Sequence, residues 1–355
     1  MSTQDSKTYH EQTYIDNTLR LREILKTMPP FAKDYFRAIE PKSSAKTRIS
    51  YAYDIRIFFH FLMENNPVYK NYKMDKFTVK DLERIEPVDI EEYQEYLKVY
   101  KGDGNKQITN TEKGLARKMS ALRSFYAYFF KHQIIDKNPT LLVDMPKLHD
   151  KAIIRLDTDE VATLLEYVEH GGDDLTGQRK VYFEKTKNRD LAILTLLLGT
   201  GIRVSECVGL DIQDVDFKNN GVKVTRKGGN EMVVYFGEEV ENALKMYLYT
   251  TRKSTTALPG HENALFLSTQ RRRIGVQAVE NMVKKYARQI TPNKKITPHK
   301  LRSTYGTALY KETGDIYLVA DVLGHKDVNT TKKHYAAIDE NRRRQAAGAV
   351  KLREP

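Results

Sequence analysis

A single cysteine, Cys207, stands in a chain of 355 residues, so no disulfide can form within it and a cysteine-rich zinc site is excluded. That scarcity suits a reducing cytoplasm. Long apolar runs are lacking too: the longest, Leu191 to Leu198, falls far short of the roughly 20 residues that a membrane-spanning helix needs. The first residues, MSTQDSKTYHEQTYIDN, are polar and have no apolar stretch of signal-peptide type. These absences predict a soluble, cytoplasmic protein with no membrane partner. No acidic cluster resembles a two-metal site, and the nine histidines lack zinc-finger spacing, so neither a metal nor another cofactor is expected. There is no fixed-period repeat and no low-complexity tract.

What the chain has in excess is positive charge. Lys and Arg number 59 against 47 Asp and Glu, a formal surplus of +12. Such a surplus favours a polyanion, nucleic acid foremost, yet many basic proteins bind nothing acidic, so the placement of the charges must decide. The length exceeds what one hydrophobic core usually organises and predicts two domains.

Hydrophobic periodicity supplies the outline. Residues 1–40 read as an N-terminal extension with a short helix (Leu19, Leu21, Ile24, Leu25) ahead of Pro29-Pro30. From Ser43 or Ser44, both plausible N-caps, a helix carries Ile49, Tyr53, Ile57 and Phe61 at every fourth position and stops near Asn65-Asn66-Pro67. A second runs from about Thr109 to His132, with Met119, Leu122, Phe125, Tyr126, Phe129 and Phe130 on one face and Lys113, Arg117, Ser120 and Ser124 on the other. With a helical stretch near Val88 to Tyr100, residues 41–140 form a helical bundle domain. Residues 141–156, near Pro139 and Pro146, read as a linker.

A second domain, 157–340, opens with a helix capped by Asp157 or Thr158. A polar insertion from Gly171 to Lys187 precedes a buried helix over Asp190 to Leu198, a turn at Gly199 to Gly201, and another helix from about Val204. Between Asp214 and Phe236 the period changes to two, giving three short strands separated by Asn219-Asn220-Gly221 and Lys227-Gly228-Gly229-Asn230. The expected fold is mainly α with a small antiparallel β-sheet, and residues 341–355 form a C-terminal tail.

Four separated pieces of the second domain set a cation or a nucleophile beside turn-forming residues. They are Thr200-Gly201-Ile202-Arg203-Val204-Ser205-Glu206, the Lys227-Gly228-Gly229 turn, Pro298-His299-Lys300-Leu301-Arg302, and Leu323-Gly324-His325 followed ten residues on by Tyr335. Each alone is common; their order and joint presence are not. The set resembles the tyrosine recombinase (phage-integrase-like) family. Glu184 to Asp190, Val224 to Gly229 and Thr297 to Arg302 look most like Xer-type resolvases, particularly the single-protein XerS kind.

The resemblance implies an N-terminal helical core-binding domain and an α+β catalytic domain that form a C-shaped DNA clamp. It implies a DNA strand-exchange enzyme working through a 3′-phosphotyrosine link without metal or ATP, on double-stranded DNA with an inverted-repeat site. It further implies a homotetramer on two sites, with the tail docked on a neighbouring subunit, and an Xer-like role in chromosome dimer resolution, with a DNA translocase as accessory. An integrase of a mobile element, a type IB topoisomerase and an inactive DNA-binding regulator remain alternatives.

Chemistry fits the positions. Charge gathering on the non-bridging oxygens of a pentacoordinate phosphate can be met by two guanidinium forks, here Arg203 and Arg302. The plain alternative for Arg203 is a helix-start ion pair with Glu206, and for Arg302 a solvated helix face. His299 and Arg302, three apart on a helix, can reach one phosphate, with His299 orienting or deprotonating the nucleophile. His325, after a glycine turn, would bond a phosphate oxygen or, more plainly, cap a helix. By resemblance Lys227 protonates the leaving 5′ oxygen, with Lys223 as its rival, and Tyr335 is the nucleophile. Tyr305, Tyr310 and Tyr317 read as packing residues. In the bundle, Lys46, Arg48, Arg117, Lys118 and Arg123 are the DNA-contact candidates, since they lie on or beside solvent faces of its two clearest helices.

Overall fold

The computed structural model describes residues 8–149, 153–173, 175–226, 228–325 and 327–329, and the chain separates into two compact units, 1–151 and 152–355.

In the first unit, α1 (Tyr9–Lys26) and α2 (Ala32–Ala38) are followed by α3 (Ala45–Asn65), α4 (Val79–Glu83), α5 (Pro87–Tyr96), a hairpin of β1 (Val99–Lys101) and β2 (Gln107–Thr109), and α6 (Glu112–Lys131). Ser44 caps α3 by accepting from the Thr47 N–H. The stretch expected to be an extension is instead part of the core. Helix α1 packs on α3, and Leu21, Ile24, Met28, Tyr35 and Phe36 are buried with the bundle. Aromatic rings knit this core: Phe31, Tyr35, Phe59 and Phe129 each meet Phe125 at 5.0–6.2 Å between centroids. The buried seam of α3 runs through Ala52, Ile55, Phe59 and Leu62, while Tyr53 and Ile57 are only partly buried. On α6 the expected face is buried except Phe130, which is 43% exposed where the helix nears its end.

The second unit comprises α7 (Thr158–His170), α8 (Gly177–Thr200), α9 (Val204–Gly209), the strands β3 (Val215–Asp216), β4 (Gly221–Thr225) and β5 (Glu231–Tyr235), then α10 (Glu238–Met246), α11 (Val276–Ile290), α12 (Pro298–Thr313) and α13 (Ile316–Leu323). Residues 177–187, expected as part of an insertion, are the first half of α8. Helix α8 packs on α7, α10 and α12, so its apolar stretch is enclosed on several sides, and Ala192 to Leu197 are all buried. The strands form an antiparallel sheet in the order β3-β4-β5, with Val222 opposite Val234 and Lys223 opposite Val233. A polar network lies inside this unit. Asp190 accepts from the neighbouring Arg189 and, at 2.9 Å, from the Tyr286 hydroxyl, and Arg189 also donates to the Leu267 carbonyl. Among the described residues, no helix is long and apolar enough to cross a membrane.

Candidate active site

The site grows from two left-handed turns. Helix α8 ends at Gly201 (φ 63°), which turns the chain so that Arg203 becomes the N-cap of α9. Helix α13 ends at Gly324 (φ 62°) in a Schellman-type turn: the Gly324 N–H donates to Asp321 and the His325 N–H to Ala320. Both glycines are also tightly enclosed. A Cβ on Gly201 would lie 2.4 Å from the Tyr305 ring, and one on Gly324 1.6 Å from a guanidinium nitrogen of Arg226.

The last carbonyls of a helix lack intrahelical donors and carry the negative end of its dipole. Three arginines from distant segments serve those of α13. Arg226 donates through Nη2 to Val322 (2.7 Å) and through Nη1 to Asp321 (3.4 Å). Arg302 donates through Nη2 to Leu323, and Arg203 through Nη2 to Gly324 (3.4 Å). Arg302 is 4% exposed and also donates through Nη1 to Gly201 at 2.5 Å, so one buried side chain joins the two turns.

Arg203 keeps 36% of its side chain exposed. Buried Glu206 holds it by accepting from Nη1 (2.7 Å) and from the Arg203 backbone N–H (2.8 Å). The helix-start ion pair foreseen as the plain reading is therefore present, alongside the bond to Gly324. His299 lies exposed in the first turn of α12, one turn before Arg302, behind Pro298 at the start of the helix. His325 follows the α13 turn and is partly buried. Arg203, Arg302 and His325 are thus gathered at the C-terminal end of α13. Lys227 and Tyr335 lie outside the described residues, as does the tail from 341 to 355. Lys223, the rival of Lys227, faces carboxylates on the sheet, with Nζ 3.5 Å from Glu231 and 3.9 Å from Asp214.

Arg226 was missed from the sequence because it reads there as one more cation in a charged turn. Burial draws its pKa down, Glu206 opposes this, and nearby Arg203 adds to it. Cys207 is fully buried, and burial pushes its thiol up to about 12, so it packs as a small hydrophobe. Tyr310 is buried and Tyr305 half-buried, as packing residues should be, whereas Tyr317 is 71% exposed. No cluster of metal-binding side chains occurs among the described residues.

The bundle cations divide. Lys46 is exposed on the first turn of α3. Arg117 is exposed and paired with the buried carboxylate of Asp54. Arg48, by contrast, is buried and ion-paired with Glu40 at 3.0 Å; Lys118 is buried and donates to Asn110 at 2.7 Å. Arg123 reaches back to the carbonyls of Thr140 (3.1 Å) and Val143 (2.5 Å). The described contacts of these last three lie within the bundle.

Comparison with known proteins decides the family. Residues 155–342 match the phage integrase family, and residues 32–133 match the phage integrase N-terminal SAM-like domain. The chain belongs to the phage integrase family. It is 33% identical over 337 residues to the tyrosine recombinase XerC of Caldanaerobacter subterraneus, covering 92% of this chain and 88% of that one. It is also 29% identical over 352 residues to the tyrosine recombinase XerS of Streptococcus equi, covering 91% and 96%. Its fold is that of the Tn1549 transposon integrase in complex with transposon right end DNA (TM-score 0.61, 20% identity, 89% and 98% covered). The XerH recombinase bound to palindromic difH is similar as well (TM-score 0.59, 18% identity, 85% and 78% covered). The chain is accordingly a site-specific tyrosine recombinase, an enzyme that cleaves and rejoins DNA through a covalent tyrosine intermediate.

Proposed function

We propose that this recombinase acts on double-stranded DNA carrying an inverted-repeat site, as a homotetramer on two sites, in Xer-like resolution of chromosome dimers in the cytoplasm, with a DNA translocase as accessory. The convergence of Arg203, Arg302 and the Leu323-Gly324-His325 turn carries this reading, because a phosphate placed there would meet two guanidinium groups and a histidine. The near full-length similarity to XerC and XerS supports the Xer-like role.

In the reaction, the Tyr335 oxygen attacks the scissile phosphorus. A P–O bond to tyrosine forms, the bond to the 5′ oxygen breaks, and that oxygen keeps the electron pair. The phenol proton passes to a base, for which His299 is the candidate, and Lys227 gives a proton to the departing oxygen. Arg203 and Arg302 hold the non-bridging oxygens, and His325 bonds one of them. Attack by the 5′ hydroxyl of a partner strand reverses these steps. Because the phosphotyrosine link conserves the phosphodiester, no ATP is consumed. In the bundle, Lys46 and Arg117 are among the groups on the duplex phosphates.

The test is a nicked suicide substrate drawn from fragments of the source genome, on which the freed end diffuses away and the covalent complex accumulates. Wild type should be trapped and Tyr335→Phe should not. A complex that persists in Tyr335→Phe would end the assignment. Relaxation of plasmids lacking any recombination site, at the rate seen with the site, would favour a topoisomerase.

A further inference from the structure

Arg226 has no part in the mechanism above, yet it spans 95 residues of sequence to join two parts of the site. Its backbone anchors the β4–β5 turn: the Arg226 N–H donates to Asn230 (2.8 Å), and the Arg226 carbonyl accepts from Gly229 (3.0 Å). Its side chain anchors that turn to α13, with one guanidinium nitrogen on each of two successive carbonyls, Asp321 and Val322. The guanidinium also lies over Gly324, where an added Cβ would fall 1.6 Å from a guanidinium nitrogen. The remaining nitrogen, Nε, is buried and has no hydrogen-bond partner.

We propose that Arg226 is a positioning residue for the cleavage step: it locks the β4–β5 turn onto the Leu323-Gly324-His325 turn, and proton transfer by the adjacent Lys227 to the leaving 5′ oxygen depends on that lock. This rests on the reading that Lys227 is the general acid. A displacement of about 1 Å at such a group can cost about a hundredfold in rate, so the effect should fall on kcat and not on DNA affinity.

The experiment uses the full chain and two suicide substrates, one with an ordinary scissile phosphodiester and one with sulfur replacing the bridging 5′ oxygen. A thiolate departs without a proton, so the second substrate does not need the acid. At saturating protein, Arg226→Ala should cleave the ordinary substrate about a hundredfold more slowly than wild type and the sulfur substrate nearly as fast. Its DNA affinity should be unchanged. Arg226→Gln, which keeps one donor for α13, should show the same pattern in milder form and covers the case in which the alanine variant does not fold. A defect equal on both substrates, or one accounted for by weaker DNA binding, overturns the proposal. Lys227→Ala on the same substrates tests the underlying reading separately. Failure of sulfur to restore it removes Lys227 as the acid, whereas restoration of Lys227→Ala but not of Arg226→Ala removes the role of Arg226 alone.

Discussion

Arg203 and Arg302, 99 residues apart in sequence, donate to neighbouring carbonyls, Gly324 and Leu323, at the end of α13. These oxygens carry the partial negative charge of a helix C-terminus, and a phosphate brought to the same place carries a full one. The arginines are therefore pre-set toward an anion before DNA arrives. Replacement by lysine keeps the charge and removes the fork. Arg203→Lys and Arg302→Lys should each slow covalent-complex formation by about a hundredfold to a thousandfold, the usual cost of losing one donor to a developing anion. Binding to the uncut site should change much less, because many other cations share that task. Single-turnover rates at saturating protein check this, and rates within twofold of wild type would remove the pair from the chemistry.

Gly324→Ala separates backbone strain from the contact with Arg226. A left-handed alanine costs about 1–2 kcal/mol wherever it occurs. Gly104 (φ 72°), between β1 and β2, offers the comparison because nothing lies within 4 Å of its would-be Cβ. Gly104→Ala should lose only the backbone term. Gly324→Ala should lose more and should also displace Arg226, so that cleavage falls as well as stability. Equal losses of unfolding free energy in the two variants would show that the guanidinium yields its place freely.

Much of this arrangement was legible in the sequence, for a physical reason: helix caps, glycine turns and alternating strands are local. Ser44, Gly201, Asp157 and the β4–β5 turn sit where local rules put them. The failures are tertiary. The apolar content of residues 9–38 looks too thin for a core until Tyr35 meets Phe125 and Leu21 lies within the bundle. The polar start of α8 looks like an insertion because most of residues 177–187 face solvent, and only Phe183 and Thr186 are buried to mark the helix. Arg48, Lys118 and Arg123 look like free cations because their partners, Glu40, Asn110 and the 140–143 carbonyls, belong to other segments.

That division of the bundle cations predicts two kinds of variant. Arg117 is exposed yet paired with buried Asp54, so its loss to alanine should lower the slope of log affinity against log salt by about 1, uniformly across DNA sequences, and also cost stability by leaving that carboxylate unpaired. Arg123→Ala removes donors from two carbonyls and should instead destabilise the bundle by about 1–3 kcal/mol while leaving the salt slope unchanged. Salt titrations of DNA binding, paired with urea unfolding of the same variants, check both. A normal salt slope for Arg117→Ala would place Arg117 off the duplex.

Asp54, behind Arg117, decides between burial and ion pairing. Burial pushes its carboxyl up to about 6 from an ordinary value of 3.8, although Arg117 and Lys118 both pull the other way. The other groups facing it are the Tyr93 hydroxyl, which donates to the Asp54 carbonyl, and Tyr100. A carboxyl whose pKa is higher folded than unfolded binds its proton more tightly in the native state. Its contribution is therefore full below about pH 3.8, declines as pH rises toward 6, and is flat beyond. Two pH units at about 1.4 kcal/mol each make the decline roughly 3 kcal/mol. Asp54→Asn cannot titrate, so wild type should lose about that much stability relative to the variant between pH 4 and pH 6. Urea unfolding followed by far-ultraviolet circular dichroism measures the difference. A gap that moves in favour of wild type over the same interval would mean that the attraction to Arg117 outweighs desolvation, and would reverse the sign assigned to this buried carboxylate.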